Sequence, residues 1–171
     1  TLLTLFQQRA TRMLELNQQA SNRKLAPELT AEAELAAVLA AHLPQQNLEL
    51  ALSLFENTLK SAPCPGAQKA CYTAIRGIFE NACHVAAQER GDLEGPKKLL
   101  ERFWNILKAT RSQCDPAAFK ARLQCFSLFL ALLCGDSLDE KNPPLLGTGP
   151  EALAMRKQFL SMQLSGGDAA N

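Results

Sequence analysis

The sequence is poor in aromatic residues, with eight Phe, one Tyr and one Trp among its 171 residues. Leu and Ala are abundant instead, and such unbranched side chains lose little rotamer freedom in a helix. The chain also lacks an uninterrupted run of the roughly 18 apolar residues that a membrane-spanning helix needs. Gln7, Gln8, Arg9, Arg12 and Glu15 interrupt the N-terminal segment, which argues against a signal peptide. These absences favour a helical protein, and we expect no membrane segment.

Motifs for bound metals and phosphates are absent as well. The sequence has no C-x-x-C, no H-x-x-x-H, no paired acidic loop and no glycine-rich phosphate loop. These patterns are usually visible in a sequence when the corresponding site exists. We therefore expect neither a metal nor a cofactor.

Residue combinations for catalysis are scarce, since the chain has only two histidines. His42 falls on the apolar stripe of a predicted helix, where we expect a core histidine. Cys83 and His84 are adjacent, and adjacent helical residues point about 100° apart, so they do not form a nucleophile–base pair. Cys64 has no neighbouring His, Lys or Arg in the sequence to activate its thiol. We predict that the domain is not an enzyme and has no catalytic residue.

The residues that are present describe a globular protein. Hydrophobic residues make up 47% and charged residues 20% of the chain, with a net charge of +1. Of the six cysteines, Cys71 and Cys83 fall on one predicted helix, too far apart to bridge. There is no Asn-X-Ser/Thr glycosylation signal. We expect reduced thiols and an intracellular location, cytoplasmic or nuclear. A start at Thr1 suggests a fragment or a processed product of a larger protein.

Proline and glycine divide the chain into seven segments with apolar residues three and four positions apart, which is helical spacing. The sequence predicts an all-α fold of about seven antiparallel helices, as a helical bundle or a short α-solenoid of HEAT- or TPR-like hairpins. Residues 1–165 are predicted to form a single domain and residues 166–171 a disordered tail.

Two of these segments carry specific start signals. Thr30 is predicted to cap the second helix, and Asp115 followed by Pro116 is predicted to start the sixth. The inward face of the second helix is predicted to carry Leu35, Val38, Leu39 and His42.

Residues 32–65 resemble half of a tetratricopeptide repeat. The second helix of that repeat has Ala, then Phe four residues later, then Pro eight residues further on. Ala51, Phe55 and Pro63 match this spacing, whereas Thr58 stands where the family has a small residue. The first helix departs from the pattern, because the family's Trp, Leu, Gly and Tyr positions hold Leu35, Val38, Leu39 and His42. The resemblance implies a helical hairpin here and nothing more specific.

The segment CFSLFLALLC, residues 125–134, has one polar side chain, Ser127. A helix that is apolar on every side is normally surrounded by other helices. We therefore predict that residues 123–134 form the central helix of the domain. The alternative is that one side of this helix is bare in the isolated chain and docks another protein.

Charge is unevenly distributed along the chain. Residues 28–60 contain five glutamates against one lysine, a net charge of −4. Residues 97–122 contain seven cations against Glu101 and Asp115, a net charge of +5. The seven cations, which we predict as partner-binding residues, are Lys97, Lys98, Arg102, Lys108, Arg111, Lys120 and Arg122.

This basic segment suits three kinds of partner: an acidic protein, the phosphates of a nucleic acid, or the acidic segment of a second copy. The last of these predicts salt-sensitive oligomers. We predict a non-enzymatic helical protein–protein interaction domain, for scaffolding, assembly or oligomerisation, within a larger intracellular protein. The alternative is an RNA- or DNA-binding helical domain that uses the same basic face. Reversing three of a smaller set of cations is predicted to weaken partner binding and leave thermal stability nearly unchanged; this set is Lys97, Lys98, Arg102, Lys108 and Arg111.

Overall fold

The computed structural model describes residues 1–19, 22–88, 92–135 and 143–165. Within these ranges the chain forms seven α-helices and no strand, which confirms the all-α prediction. The predicted tail at 166–171 lies outside the described residues. The helices are α1 (Leu2–Gln18), α2 (Ala26–Ala40), α3 (Leu48–Lys60), α4 (Pro65–Gln88), α5 (Glu94–Ala109), α6 (Phe119–Cys134) and α7 (Pro150–Ser165).

The central helix is α4, which packs against α2, α3, α5 and α6. It begins at Pro65, where the missing amide hydrogen leaves no donor unpaired. Its buried residues cover a little more than half of its circumference over 24 residues, so it can contact four neighbours, while Lys69, Arg76 and Glu80 lie on its exposed side.

The prediction that residues 123–134 form the central helix is wrong. Only Cys125, Phe129 and Leu133 of α6 are fully buried, because α6 lies at the edge of the bundle and packs mainly on α4 and α5.

Aromatic rings join α4, α5 and α6. The rings of Phe79 and Phe103 are stacked, with centroids 4.2 Å apart and planes 13° from parallel. Phe129 meets Phe103 edge-on at 5.8 Å and also lies 5.3 Å from the Trp104 ring. Such contacts add to the hydrophobic contribution of the buried rings. They fix the inner face of α6 against the bundle.

Buried polar contacts fix the turn between α5 and α6. The Gln68 side chain donates to the carbonyl oxygens of Pro63 (2.9 Å) and Gln113 (3.0 Å). Its Oε1 accepts the backbone N–H of Asp115 at 2.8 Å. The Asp115 carboxylate accepts the N–H of Ala117 at 2.7 Å, which confirms the predicted start signal. Because the turn is tied to α4, the position at which α6 starts is set by the fold.

The second helix turns a different side to the core from the one predicted. Its buried residues are Leu29, Ala33, Ala36 and Ala40. Small side chains let α2 approach α4 closely, and a Cβ added at Gly66 of α4 would lie 2.6 Å from Thr30 Oγ1. Thr30 does not cap the helix, since its hydroxyl donates to the carbonyl oxygen of Ala26 within the helix. The predicted inward residues Leu35, Val38 and His42 are exposed, and Leu39 is half-buried.

Candidate functional site

Arg102, one of the seven predicted binding cations, lies in an ion-pair network between α5 and α3. Its Nη1 donates to Glu56 Oε2 at 2.6 Å, and its Nη2 donates to Glu49 Oε1 at 2.7 Å. Lys60 also pairs with Glu56, with an N–O distance of 2.8 Å. Two of the five glutamates of the acidic segment, Glu49 and Glu56, therefore bind a cation of the basic segment within one molecule.

Glu56 is nearly buried in this network, and burial alone would raise its pKa. Hydrogen bonds from Lys60 and Arg102 outweigh that effect, so the pKa of Glu56 lies below its ordinary value near 4.5. A carboxylate with a lowered folded-state pKa stabilises the fold above about pH 4.5, and this contribution is lost as the pH falls through the folded-state pKa.

We therefore expect Glu56→Gln to be less stable than the wild-type protein at neutral pH, with the difference shrinking in acid. Urea unfolding at a series of pH values from 7 to 3 measures this directly. Glu34→Gln is the matched control, because Glu34 is exposed and has no ion pair among the described residues. A stability difference between wild type and Glu56→Gln that is the same at every pH contradicts the expectation.

The other six predicted cations fall into two groups. Lys97 lies 4.0 Å from Glu94, and Arg122 Nη2 donates to the carbonyl oxygen of Leu107 at 2.9 Å. The remaining four are exposed and have no ion pair or side-chain hydrogen bond in the described part of the chain; they are Lys98, Lys108, Arg111 and Lys120.

Two of these four exposed cations, Lys108 and Lys120, lie at one end of the α5–α6 helix pair. Arg122 reaches Leu107, and the Trp104 ring lies 5.9 Å from the Phe126 ring, so the end of α5 adjoins the start of α6. Lys108 follows Trp104 by one helical turn on the same side of α5. Lys108 and Lys120 therefore belong to the same end of the helix pair.

One flank of α6, next to the side that packs inward, carries a partly exposed apolar stripe. Phe119, Leu123 and Leu130 are exposed to 53%, 48% and 40%, and Phe126 between them is half-buried. Their successive spacings of four, three and four residues place all four on one side of the helix, as in the contact stripe of a coiled coil. We call these four residues the α6 stripe. The stripe begins at Phe119, before the apolar segment 125–134 identified in the sequence. Its spacing of four, three and four residues is the sequence signal that could have identified it.

Pro116–Cys134 is also long and apolar enough to cross a membrane, with a mean hydropathy of 1.5 over its best window. It is the only such helix in the described ranges. Length and composition alone are weak evidence, because a core helix of a soluble protein passes the same test. In this helix 22% of that window is buried, on the side that carries Cys125, Phe129 and Leu133.

A second exposed apolar stripe runs along the outer face of α2. Leu35 and Val38 are exposed to 50% and 61%, and the exposed residue Ala31 lies one turn before them on the same side of the helix. His42 lies beyond the end of α2, in the turn that follows Ala40. We call Ala31, Leu35 and Val38 the α2 stripe. Glutamates flank it, namely Glu28, which pairs with Arg12, and Glu34.

The described residues form several clefts, and several of the cysteines are buried. Three clefts, of about 550, 160 and 50 Å³, have no histidine among the residues that line them. The largest of the three lies between α2 and the start of α4 and is lined by Asn22, Arg23, Cys64 and Asp115 together with apolar residues. Burial raises the pKa of the Cys83 and Cys125 thiols to about 12, which keeps them protonated.

In the described part of the chain no group of three His, Cys, Asp or Glu side chains is placed to hold a metal ion. Comparison of the sequence and structure with family models, curated proteins and solved structures finds no match.

Proposed function

We propose that this domain is a non-enzymatic protein-interaction module that docks another protein helix on the α6 stripe. The observation that carries the proposal is the row of half-exposed apolar side chains, Phe119, Leu123 and Leu130, on a helix whose adjoining side packs into the core. Scattered exposed apolar residues are ordinary, but a continuous row at coiled-coil spacing is typical of a helix-docking surface.

The size of the stripe limits what it can do alone. About half of each of the three side chains is still accessible to solvent. Burying this surface on docking contributes roughly 1–1.5 kcal/mol per residue to the free energy of binding. The total of about 4 kcal/mol equals only the smallest estimates of the free energy lost when two molecules give up their independent translation and rotation. A stable complex therefore needs further contacts, and the nearby cations Lys108 and Lys120 supply them for an acidic partner.

Nucleic-acid binding is the second candidate, and the same geometry favours it less. Phosphate recognition needs several cations on one face. Arg102 and Lys97 are paired within the molecule, and Arg122 donates to a backbone oxygen. Lys98 lies on the side of α5 about 120° from Trp104, away from the start of α6. Phe119 is the exposed aromatic residue in this region, so stacking with several bases has little support.

The test compares Leu123→Asp with Leu50→Asp, an equally exposed leucine on α3. Each tagged variant and the wild type are purified from cells with nuclease treatment, and co-purifying proteins are quantified by mass spectrometry. We expect at least one protein to be reduced about tenfold by Leu123→Asp and unchanged by Leu50→Asp. Urea unfolding checks that both variants remain folded.

Equal retention of every partner by the two variants contradicts the proposal. Titration with labelled RNA at two salt concentrations tests the second candidate. Binding that falls steeply with salt and survives Leu123→Asp would favour the nucleic-acid reading.

A further inference from the structure

We propose that the groove between α5 and α6 binds a helix of the partner protein, and that α7 occupies this groove within the molecule as a competitor of that helix. This inference rests on the proposed function, because the groove adjoins the α6 stripe. Four features of the described residues support it: the way α7 is seated, its sparse packing, two unpaired donors, and the continuity of the groove with the stripe.

A single row of side chains seats α7 on the groove. Ala152 and Phe159 are buried and Met155 between them is half-buried, at spacings of three and four residues. The Phe159 ring lies 5.5 Å from the Phe129 ring of α6 and 6.5 Å from the Trp104 ring of α5. A helix that lies in a groove through such a row is a common way for a protein to bind a partner helix.

Apart from this row, α7 is sparsely packed. It comes close to the other described helices at few points, whereas α5 and α6 pack closely on α4 and on each other. A cleft of about 160 Å³ remains between α5 and α7. The segment before α7 is held separately, because the Leu145 N–H donates to the carbonyl oxygen of Leu132 at 2.8 Å. α7 can therefore leave the groove while this segment stays attached to α6.

Two buried donors at this contact have no hydrogen-bond partner. They are Trp104 Nε1 and Arg156 Nε, and neither finds an acceptor in the described part of the chain. Arg156 lies on the same side of α7 as the row, three residues before Phe159. A buried donor without an acceptor weakens the contact that buries it.

These unpaired donors indicate which helix the groove would bind more tightly than α7. A carboxylate in place of Arg156 removes one unpaired donor and brings an acceptor into the groove that Trp104 lines. We therefore expect the partner helix to carry an aromatic residue and, three positions earlier, an acidic residue.

The groove and the α6 stripe form one surface. Phe126 belongs to the stripe, and its ring lies 5.9 Å from the Trp104 ring and 6.4 Å from the Phe129 ring. Phe159 of α7 packs against both of these rings. When α7 leaves, the ring surfaces that it covers join the apolar surface of the stripe. This adds contact area to a stripe that is too small to hold a stable complex alone.

Hydrogen exchange of the whole chain tests whether α7 can leave the groove. In the wild-type protein we expect the amide hydrogens of α7 to exchange at least about tenfold faster than those of α4, because α7 opens without unfolding the bundle. Phe159→Ala is expected to speed exchange in α7 by about tenfold more and to leave α4 unchanged. Leu160→Ala is the matched control, since Leu160 is 41% exposed, and it should leave both helices unchanged.

A labelled peptide of residues 150–165 tests the groove as a binding site. We expect it to bind the Phe159→Ala protein at least about tenfold more tightly than the wild type, whose own α7 is tethered at a high effective concentration. A peptide with Arg156→Glu is expected to bind about fivefold more tightly than the unmodified peptide. Trp104 is the single tryptophan of the chain, so its fluorescence reports on the occupancy of the groove.

Three results overturn the inference. These are α7 amides that exchange as slowly as those of α4, a peptide that binds the wild type and the Phe159→Ala protein equally, and a peptide that binds neither. A peptide with Arg156→Glu that binds no more tightly overturns the acidic position of the partner helix. If any of these results is found while Leu123→Asp still loses a cellular partner, this inference fails and the proposed function stands.

Discussion

Replacing Phe103 with alanine is expected to lower the free energy of unfolding by about 3–5 kcal/mol, which is the usual cost of removing a fully buried phenylalanine. Phe103 is completely inaccessible to solvent and lies between the Phe79 and Phe129 rings. Its removal therefore opens a cavity where α4, α5 and α6 meet. The loss is a large fraction of the stability of a typical domain.

Urea unfolding followed by circular dichroism measures this change. Phe119→Ala is the matched control, because it removes the same side chain from the exposed face of α6, and we expect it to change the stability by no more than about 0.5 kcal/mol. Phe103→Leu, which keeps most of the volume, should cost less than Phe103→Ala. Equal effects of Phe103→Ala and Phe119→Ala would mean that the aromatic cluster does not hold α6 in place.

The existence of the helices could be predicted because the apolar spacing and some start signals are local. The Asp115 side chain accepts a hydrogen bond only two residues away, and a helical turn starts there, whereas Thr30, the other predicted start signal, lies inside α2. The fold class follows from the same signals together with the apolar spacing. No knowledge of distant contacts is needed at this level.

The side that each helix turns to the core could not be predicted in the same way. In α2 one row contains Leu35 and Val38, and the opposite row contains Ala33, Ala36 and Ala40. Hydrophobicity favours the larger side chains, but close packing on α4 selects the smaller ones. For α6 the apolar composition predicts a helix, whereas the number of neighbours depends on its place at the edge of the bundle.

The candidate site was predictable only in part for a related reason. The count of charges in residues 97–122 treats all seven cations as equivalent. Arg102 bonds to Glu49 across 53 positions and to Glu56 across 46, and no local count detects such pairs. The α6 stripe, in contrast, is a local pattern that the sequence contains in full.

Replacing Arg102 with glutamate is accordingly expected to lower the free energy of unfolding by about 3 kcal/mol. Removing one partner of a buried ion pair costs about 3–5 kcal/mol. The cost is smaller here because Arg102 is about a quarter exposed and Glu49 is mostly exposed. Repulsion between the new carboxylate and those of Glu49 and Glu56 destabilises the fold further and brings the expected cost back towards 3 kcal/mol.

Lys98→Glu is the matched control, since Lys98 lies four residues earlier on α5, is exposed and has no ion pair among the described residues. We expect it to change the stability by no more than about 0.5 kcal/mol. Equal unfolding midpoints for the two variants would show that the ion-pair network contributes nothing to stability.

The expected loss of stability in Arg102→Glu also changes how the basic segment must be tested. Reversing Arg102 alters the fold as well as the charge, so binding experiments should reverse Lys98, Lys108 and Lys120 and leave Arg102 in place.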